Sequence, residues 1–318
     1  MAGFIDSIKE KYATGGIMWR LLIVNLGVFI VLRCLGVVFT LTGISFEPAL
    51  IWLGVPADIS RCLIMPWTFI TYMFVHYDFF HILFNMLAFY WFAQLFLKVF
   101  TPKQMFALYI YGGLGGAILY VACYNVFPYF EAVLHGAYLI GASASILAII
   151  VATAVKEPDY KIGIIFFGPI PLKWLAVGTI VIDFISIVES NAGGHIAHLG
   201  GAIIGFLFAY YYKKGSDITS PFNNMMDRLV TFSRRFTSSK PRRFTMNEPQ
   251  NAPHSAPFRT PSNSTSTSSN GQTPSPEDDE REMNIILEKI KRSGYASLTE
   301  SERKKFFGIT TRRYDNQH

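Results

Sequence analysis

Three apolar stretches of this chain each carry, close to their first residue, a polar side chain able to do chemistry. HILFNMLAFYWF holds His81 and Asn85, GASASILAII holds Ser143, and GGHIAHLGGAIIGFLFA holds His198 about one turn in. His81 and Asn85 are four residues apart and share one face of a helix. Burying an unpaired polar group in an apolar medium costs about 2–7 kcal/mol, so such groups inside spanning helices point to function. A serine hydroxyl becomes a nucleophile when a histidine within hydrogen-bond reach takes its proton. The oxyanion that then develops needs donors aimed at it. His81, Asn85 and the Ser143 backbone N–H are suited to that, with Ser143 as nucleophile and His198 as base.

Other polar residues compete for these roles. Ser145 lies about 200° round the helix from Ser143, so the two cannot face one partner, and Ser145 is expected to bond back to its own helix. His195 lies at the mouth of its stretch, where a solvated histidine needs no special role. His76 and His135 read as loop histidines, the latter exposed. Arg33 and Asp183 also lie in apolar stretches. Arg33 is expected to snorkel outward and Asp183 to make a structural hydrogen bond, and neither is assigned to the site.

Six stretches are candidates for the spans that position these groups: 20–42, 80–98, 105–125, 143–156, 172–189 and 195–212. A span needs about 20 mostly apolar residues. The fourth is short, which is tolerable if its outer end is buried in protein. Lys98, Lys103, Lys156, Lys161, Lys173, Lys213 and Lys214 all fall at one side, followed by Arg228, Arg234 and Arg235. Basic residues mark the inner side, so both termini are expected to be cytoplasmic. The second, fourth and sixth stretches then run from outside to inside, and their polar groups share one depth near the outer surface. Gly201 and Gly205 form a GxxxG just after His198, a spacing that lets helix backbones approach and would bring the fourth and sixth spans together.

The fold class read from this pattern is all-α, a polytopic six-helix membrane bundle spanning 20–214. An N-terminal cytoplasmic or interfacial segment, 1–19, carries Phe4, Ile5, Ile8 and Tyr12 at helical spacing. The long loop over 43–79, rich in aromatic residues such as Trp52 and Trp67, is suited to the interface. Residues 215–280, basic and then rich in Ser, Thr and Pro, read as a disordered linker. Residues 281–318 read as a small helical module with a capping box at Thr299 and Glu302 and an end signal at Gly294.

Composition agrees with a membrane protein. Of 318 residues 51% are hydrophobic and only 16% charged, against about 25% charged in soluble domains. The net charge of +6 sits at the ends of apolar stretches, which excludes nucleic acid as the expected partner. Cys34, Cys62 and Cys123 have no metal-ligand spacing and read as ordinary thiols. The first apolar run lacks a signal-peptidase site and is expected to stay as an anchor.

Together these residues resemble the rhomboid intramembrane proteases. The GxS element is Gly141-Ala142-Ser143, the histidine element is Ala197-His198 with Gly201 and Gly205 behind it, and the HxxxxHxxxN element is His76, His81 and Asn85. The likeness covers about 15–214. It implies a Ser143–His198 dyad with no third acid, an oxyanion hole lined by His81 and Asn85 with His76 nearby, and transmembrane segments of other proteins as substrates in the bilayer. It also implies that no metal or cofactor is needed. A bacterial cytoplasmic membrane is the expected location, because the C-terminal module resembles one found in some bacterial rhomboids; what that module binds is open. Three positions depart from the family pattern. Ala144 follows the serine in place of glycine, Trp67-Thr68 stands for a Trp-Arg pair, and Leu147 replaces a tyrosine that supports the histidine in some members. An inactive rhomboid-like binding protein, or a transporter lined by His and Asn, are the rival functions. The first would usually lack Ser143 or His198, and the second would place polar groups along the whole depth of several helices.

Overall fold

The computed structural model describes residues 2–164, 168–189, 191–237, 283–289, 298–302 and 305–306. Helix α1 (Ala2–Thr14) precedes α2 (Gly16–Leu41). The loop after α2 folds into α3 (Glu47–Leu53), strand β1 (Val55–Pro56), α4 (Ile59–Ile64), α5 (Thr68–Thr71) and a 3-10 turn at Tyr72–Phe74. Next come α6 (Phe79–Val99), α7 (Pro102–Val126), strand β2 (Tyr138–Leu139), α8 (Ser143–Lys156), the hairpin β3 (Lys161–Ile164) and β4 (Gly168–Pro171), α9 (Leu172–Ile185), α10 (Ala192–Lys213) and α11 (Ser220–Thr237).

Local sequence fixes these boundaries. Asp78 caps α6 by accepting from the His81 N–H at 2.9 Å. Thr101 and Gln104 form a reciprocal capping box on α7, with Pro102 in the first turn. Asp58 caps α4 through the Ser60 N–H at 2.8 Å. That bond, rather than the nearby His135, is the larger cause holding the Asp58 carboxyl below its ordinary range.

The protein is an all-α polytopic membrane protein. Helices α2, α6, α7 and α10 are each long and apolar enough to cross a bilayer. Much of α2 is exposed, with Ile30, Val31, Val37 and Val38 more than half accessible, as suits a lipid-facing surface. Cys34 is exposed on the same helix. Helices α8 and α9 have 14 residues each, about 21 Å of rise against a hydrocarbon core of about 30 Å. For α8 that length suffices, because residues from Ala144 to Ala154 are buried in protein on nearly every side.

Helix α10 packs most extensively on α8 and α7. Small residues make this possible. A methyl group at Gly201 would fall on the Ala144 carbonyl oxygen, and one at Gly205 on that of Ala148. On the α7 side, Gly116 faces the Ala144 methyl, 2.6 Å from where its own Cβ would stand. Ala144 is therefore housed by a glycine across the interface.

The long loop over 43–79 is folded and tied down. β1 pairs antiparallel with β2, Val55 opposite Leu139 and Pro56 opposite Tyr138. Trp67 donates to the Trp52 carbonyl at 3.0 Å, and their rings stack at 5.7 Å. Thr68 is buried and donates to Met65 O at 2.6 Å, so no arginine is needed there for the loop to hold. Arg61 donates to the His135 carbonyl, and His135, exposed as expected, pairs with Asp58 at 2.9 Å.

One boundary needs correcting. The segment expected to be linker from residue 215 is helical over Ser220–Thr237. Phe222 packs on Phe106 and Tyr111 at 5.7 Å, and Lys103 pairs with Asp227 at 2.6 Å. The apolar residues recur at helical spacing, a pattern masked by a composition as polar as a linker. The rest of that stretch, 238–280, lies outside the described residues.

The chain divides into two compact units, Met1–Arg242 and Arg243–His318. In the second, residues 283–289 are helical. The Thr299 N–H donates to the Glu302 carboxylate at 2.7 Å and the Glu302 N–H returns to the Thr299 hydroxyl, completing the expected box. Gly294 lies outside the described residues.

Candidate active site

Ser143 opens α8. The turn before it needs a glycine: Gly141 has φ of 122°, and a Cβ there would stand 2.8 Å from the His81 ring and 3.9 Å from the Ser143 hydroxyl. Two bonds pin the turn. The Gly141 N–H donates to the Tyr72 carbonyl at 2.9 Å, and the Ala142 N–H donates to His76 Nε2 at 3.3 Å. His76 is fully buried, and its ring meets His81 edge-on at 5.0 Å. It is thus a positioning residue for the turn rather than a loop histidine. Tyr72 is itself held on α7 by donating to Gly113 O at 2.6 Å.

Ala142 caps α8 with no side-chain hydrogen bond. The first-turn N–H groups have no intrahelical partner, and the helix dipole makes this end attractive to negative charge.

Ser143, His198, His81 and Asn85 line one cavity of about 820 Å³, together with Tyr120, Tyr124, Glu189 and Asn191. The structure therefore brings together all four residues singled out from sequence. Asn85 spends one amide hydrogen on the His81 carbonyl at 2.8 Å, which leaves its second for a ligand. Ser143 and His198 face the cavity without a hydrogen bond between them, as is common before a substrate draws a site together. Ser145 does not line the cavity. Its hydroxyl is buried and has no partner among the described residues, so the expected bond back to its helix is not formed.

The sequence reading missed the support of His198. Its Nδ1 lies 2.8 Å from Asp183 Oδ1, and His195 Nδ1 lies 2.9 Å from the same oxygen. Asp183 is buried near the end of α9. A carboxylate can only accept, so both imidazoles donate through Nδ1, which leaves Nε2 of His198 with the lone pair a base needs. An acid thus stands behind His198, where the resemblance implied none. Leu147, where some members have a supporting tyrosine, packs instead with Leu172, Ala176 and Ala202. Arg33, expected to snorkel, lies over the Tyr77 ring at 4.7 Å and donates to its carbonyl, away from the site.

The rhomboid domain family model matches residues 64–215, which contain every one of these site residues. Residues 64–215 of the chain form a rhomboid domain. It is 30% identical over 157 residues to RHOMBOID-like protein 12, mitochondrial, of Arabidopsis thaliana, covering 46% of this chain and 47% of the relative. It is 27% identical over 162 residues to presenilin-associated rhomboid-like protein A, mitochondrial, of Danio rerio, covering 49% and 39%. Presenilin-associated rhomboid-like protein, mitochondrial, of Homo sapiens is 27% identical over 148 residues, 43% of this chain and 36% of the relative. This rhomboid spans less than half the length of these curated relatives.

The relatives correct one expectation. All three are mitochondrial by name, which overturns the bacterial cytoplasmic membrane and points to a mitochondrial one. Basic residues at span ends report which side of a bilayer a loop occupies, and they do not report which bilayer it is.

Proposed function

We propose that this rhomboid is an intramembrane serine endopeptidase that cuts transmembrane segments of membrane proteins. The observation that carries this reading is the Asp183–His198 hydrogen bond at 2.8 Å behind an imidazole that shares its cavity with Ser143. The family includes serine intramembrane proteases and acts on membrane-protein substrates within the bilayer. In this reading α8 and α9 complete a six-span bundle, with both ends on the basic side and the cavity near the opposite surface.

The chemistry follows from the arrangement. The substrate carbonyl enters beside Ser143, and its segment unwinds locally, because helical hydrogen bonds occupy its carbonyls. Ser143 Oγ attacks the carbonyl carbon while His198 Nε2 takes the hydroxyl proton. The negative oxygen is met by His81, the free Asn85 amide hydrogen and first-turn N–H groups of α8. Asp183 steadies the imidazolium through Nδ1–H. His198 then gives its proton to the leaving amine, and a water entering by the cavity repeats the sequence on the acyl-enzyme.

The test is cleavage of a single-span substrate by purified wild type, Ser143→Ala and His198→Ala in detergent. Wild type is expected to cut and both variants to be silent. Equal cutting by all three would remove the assignment.

A further inference from the structure

Asp183, His195 and His198 do more than share hydrogen bonds. Each offers one ligand atom, a carboxylate oxygen or an imidazole nitrogen, and these all lie within 4.8 Å of one another. Asp183 is 4% exposed, and its second oxygen, Oδ2, has no hydrogen-bond partner among the described residues. A buried carboxylate oxygen left unpaired is costly, and two neutral rings on Oδ1 leave its charge uncompensated. The two imidazoles stand edge to face at 5.9 Å and keep 21% and 23% of their side-chain surface accessible, and His198 lines the cavity. His195 has no part in the proposed reaction, yet it converges on the same carboxylate.

We propose that Asp183, His195 and His198 form a binding site for a divalent cation of the zinc class, and that its occupation switches the protease off. Imidazole nitrogen and carboxylate oxygen are ligands such ions take at about 2.0–2.2 Å in tetrahedral sites. The N–O pairs, now 2.8 and 2.9 Å, need to open by about half an ångström, and the two imidazoles, whose ligand atoms lie within 4.8 Å, need to close to the same edge of about 3.3–3.6 Å to surround an ion at those bond lengths. Water completes the fourth position. The ion neutralises the buried carboxylate and replaces both Nδ1 protons. In each neutral ring the displaced proton moves to Nε2, so no net proton is released. His198 then carries a hydrogen where it had the lone pair that takes the Ser143 proton. The base is lost while the fold is kept. The switching half of this proposal rests on His198 acting as the general base.

The experiment separates binding from activity. Full-length, tag-free Ser143→Ala protein in detergent is titrated with Zn²⁺ by calorimetry and with Co²⁺ by visible absorption. One ion per chain is expected, with the intense d–d bands of a four-coordinate site. His195→Gln and Asp183→Asn are each expected to weaken binding about tenfold or more, since each removes one of three ligands. His195→Gln keeps the buried carboxylate and serves if Asp183→Asn fails to fold. In protein with Ser143 intact, cleavage is expected to fall over the same Zn²⁺ range and return with EDTA, and His195→Gln is expected to move that midpoint upward. Absence of stoichiometric binding, or binding untouched by either substitution, overturns the site. Binding without loss of cleavage overturns the switch. If the Ser143-containing protein cuts nothing at all, the protease reading fails, while the titration still decides the site.

Discussion

At the scale of single residues the account turns on how His198 is held. An imidazole with one nitrogen fixed by a carboxylate presents the other as a base of known tautomer. Asp183→Asn keeps the shape but removes the charge that steadies the imidazolium, so kcat is expected to fall by about 10²–10⁴-fold with KM changed little. Steady-state cleavage kinetics check this; a fall in KM-linked binding alone would mean that Asp183 only shapes the cavity. Ser143, His198, His81 and Asn85 were legible in the sequence because polar groups stand out against apolar helices. Asp183 stood out too, but its partner was hidden, since residues on two successive helices meet only if both ends lie at one depth. The signal was there: α9 runs opposite to α10, so a residue in its last turn comes level with the first turn of α10. His76 was hidden for another reason, because its role is to hold the backbone of Ala142, and backbone partners leave no mark on spacing.

At the scale of elements, the glycines of α10 set how closely it approaches α8. Gly201→Val would drive a side chain into the Ala144 carbonyl beside Ser143. Overpacking of this kind typically costs about 1–3 kcal/mol. The variant is expected to unfold at lower temperature and to lose most cleavage, whereas Gly178→Ala, with open space around it on α9, should match wild type; equal behaviour of the two would show that the α8–α10 contact is not critical. In the C-terminal unit, the side-chain bond from Lys289, and then those from Thr299, hold the Glu302 carboxyl down to about 2. A depressed carboxyl stabilises above its unfolded value, about 4.3, and loses that contribution as pH falls toward 2. The Thr299 amide resonance is therefore expected to hold its position from neutral pH to about 3 and to shift only as pH approaches 2; a shift centred near the ordinary glutamate value would contradict it. The capping box was readable because its two members are three residues apart. Helix α11 was not, since its composition looks like linker and its apolar stripe appears only when wound at helical spacing.

At the scale of the whole molecule, topology gathers the chemistry. Helices α6, α8 and α10 carry their polar groups to a single cavity, and Asp183 near the end of α9 stands behind His198 there. The β1–β2 pairing and the stacked Trp52 and Trp67 anchor the loop after α2. Hydropathy located the spans because each is a long local signal. Those tertiary pairings join residues 15 or more positions apart and had none. The central claim is that Ser143 is a nucleophile activated by His198. Reaction of the membrane-embedded protein with a fluorophosphonate, followed by peptide mapping, tests it most directly. A single adduct on Ser143, absent in His198→Ala, is expected. An adduct on Ser145, or labelling that survives loss of His198, would contradict the account.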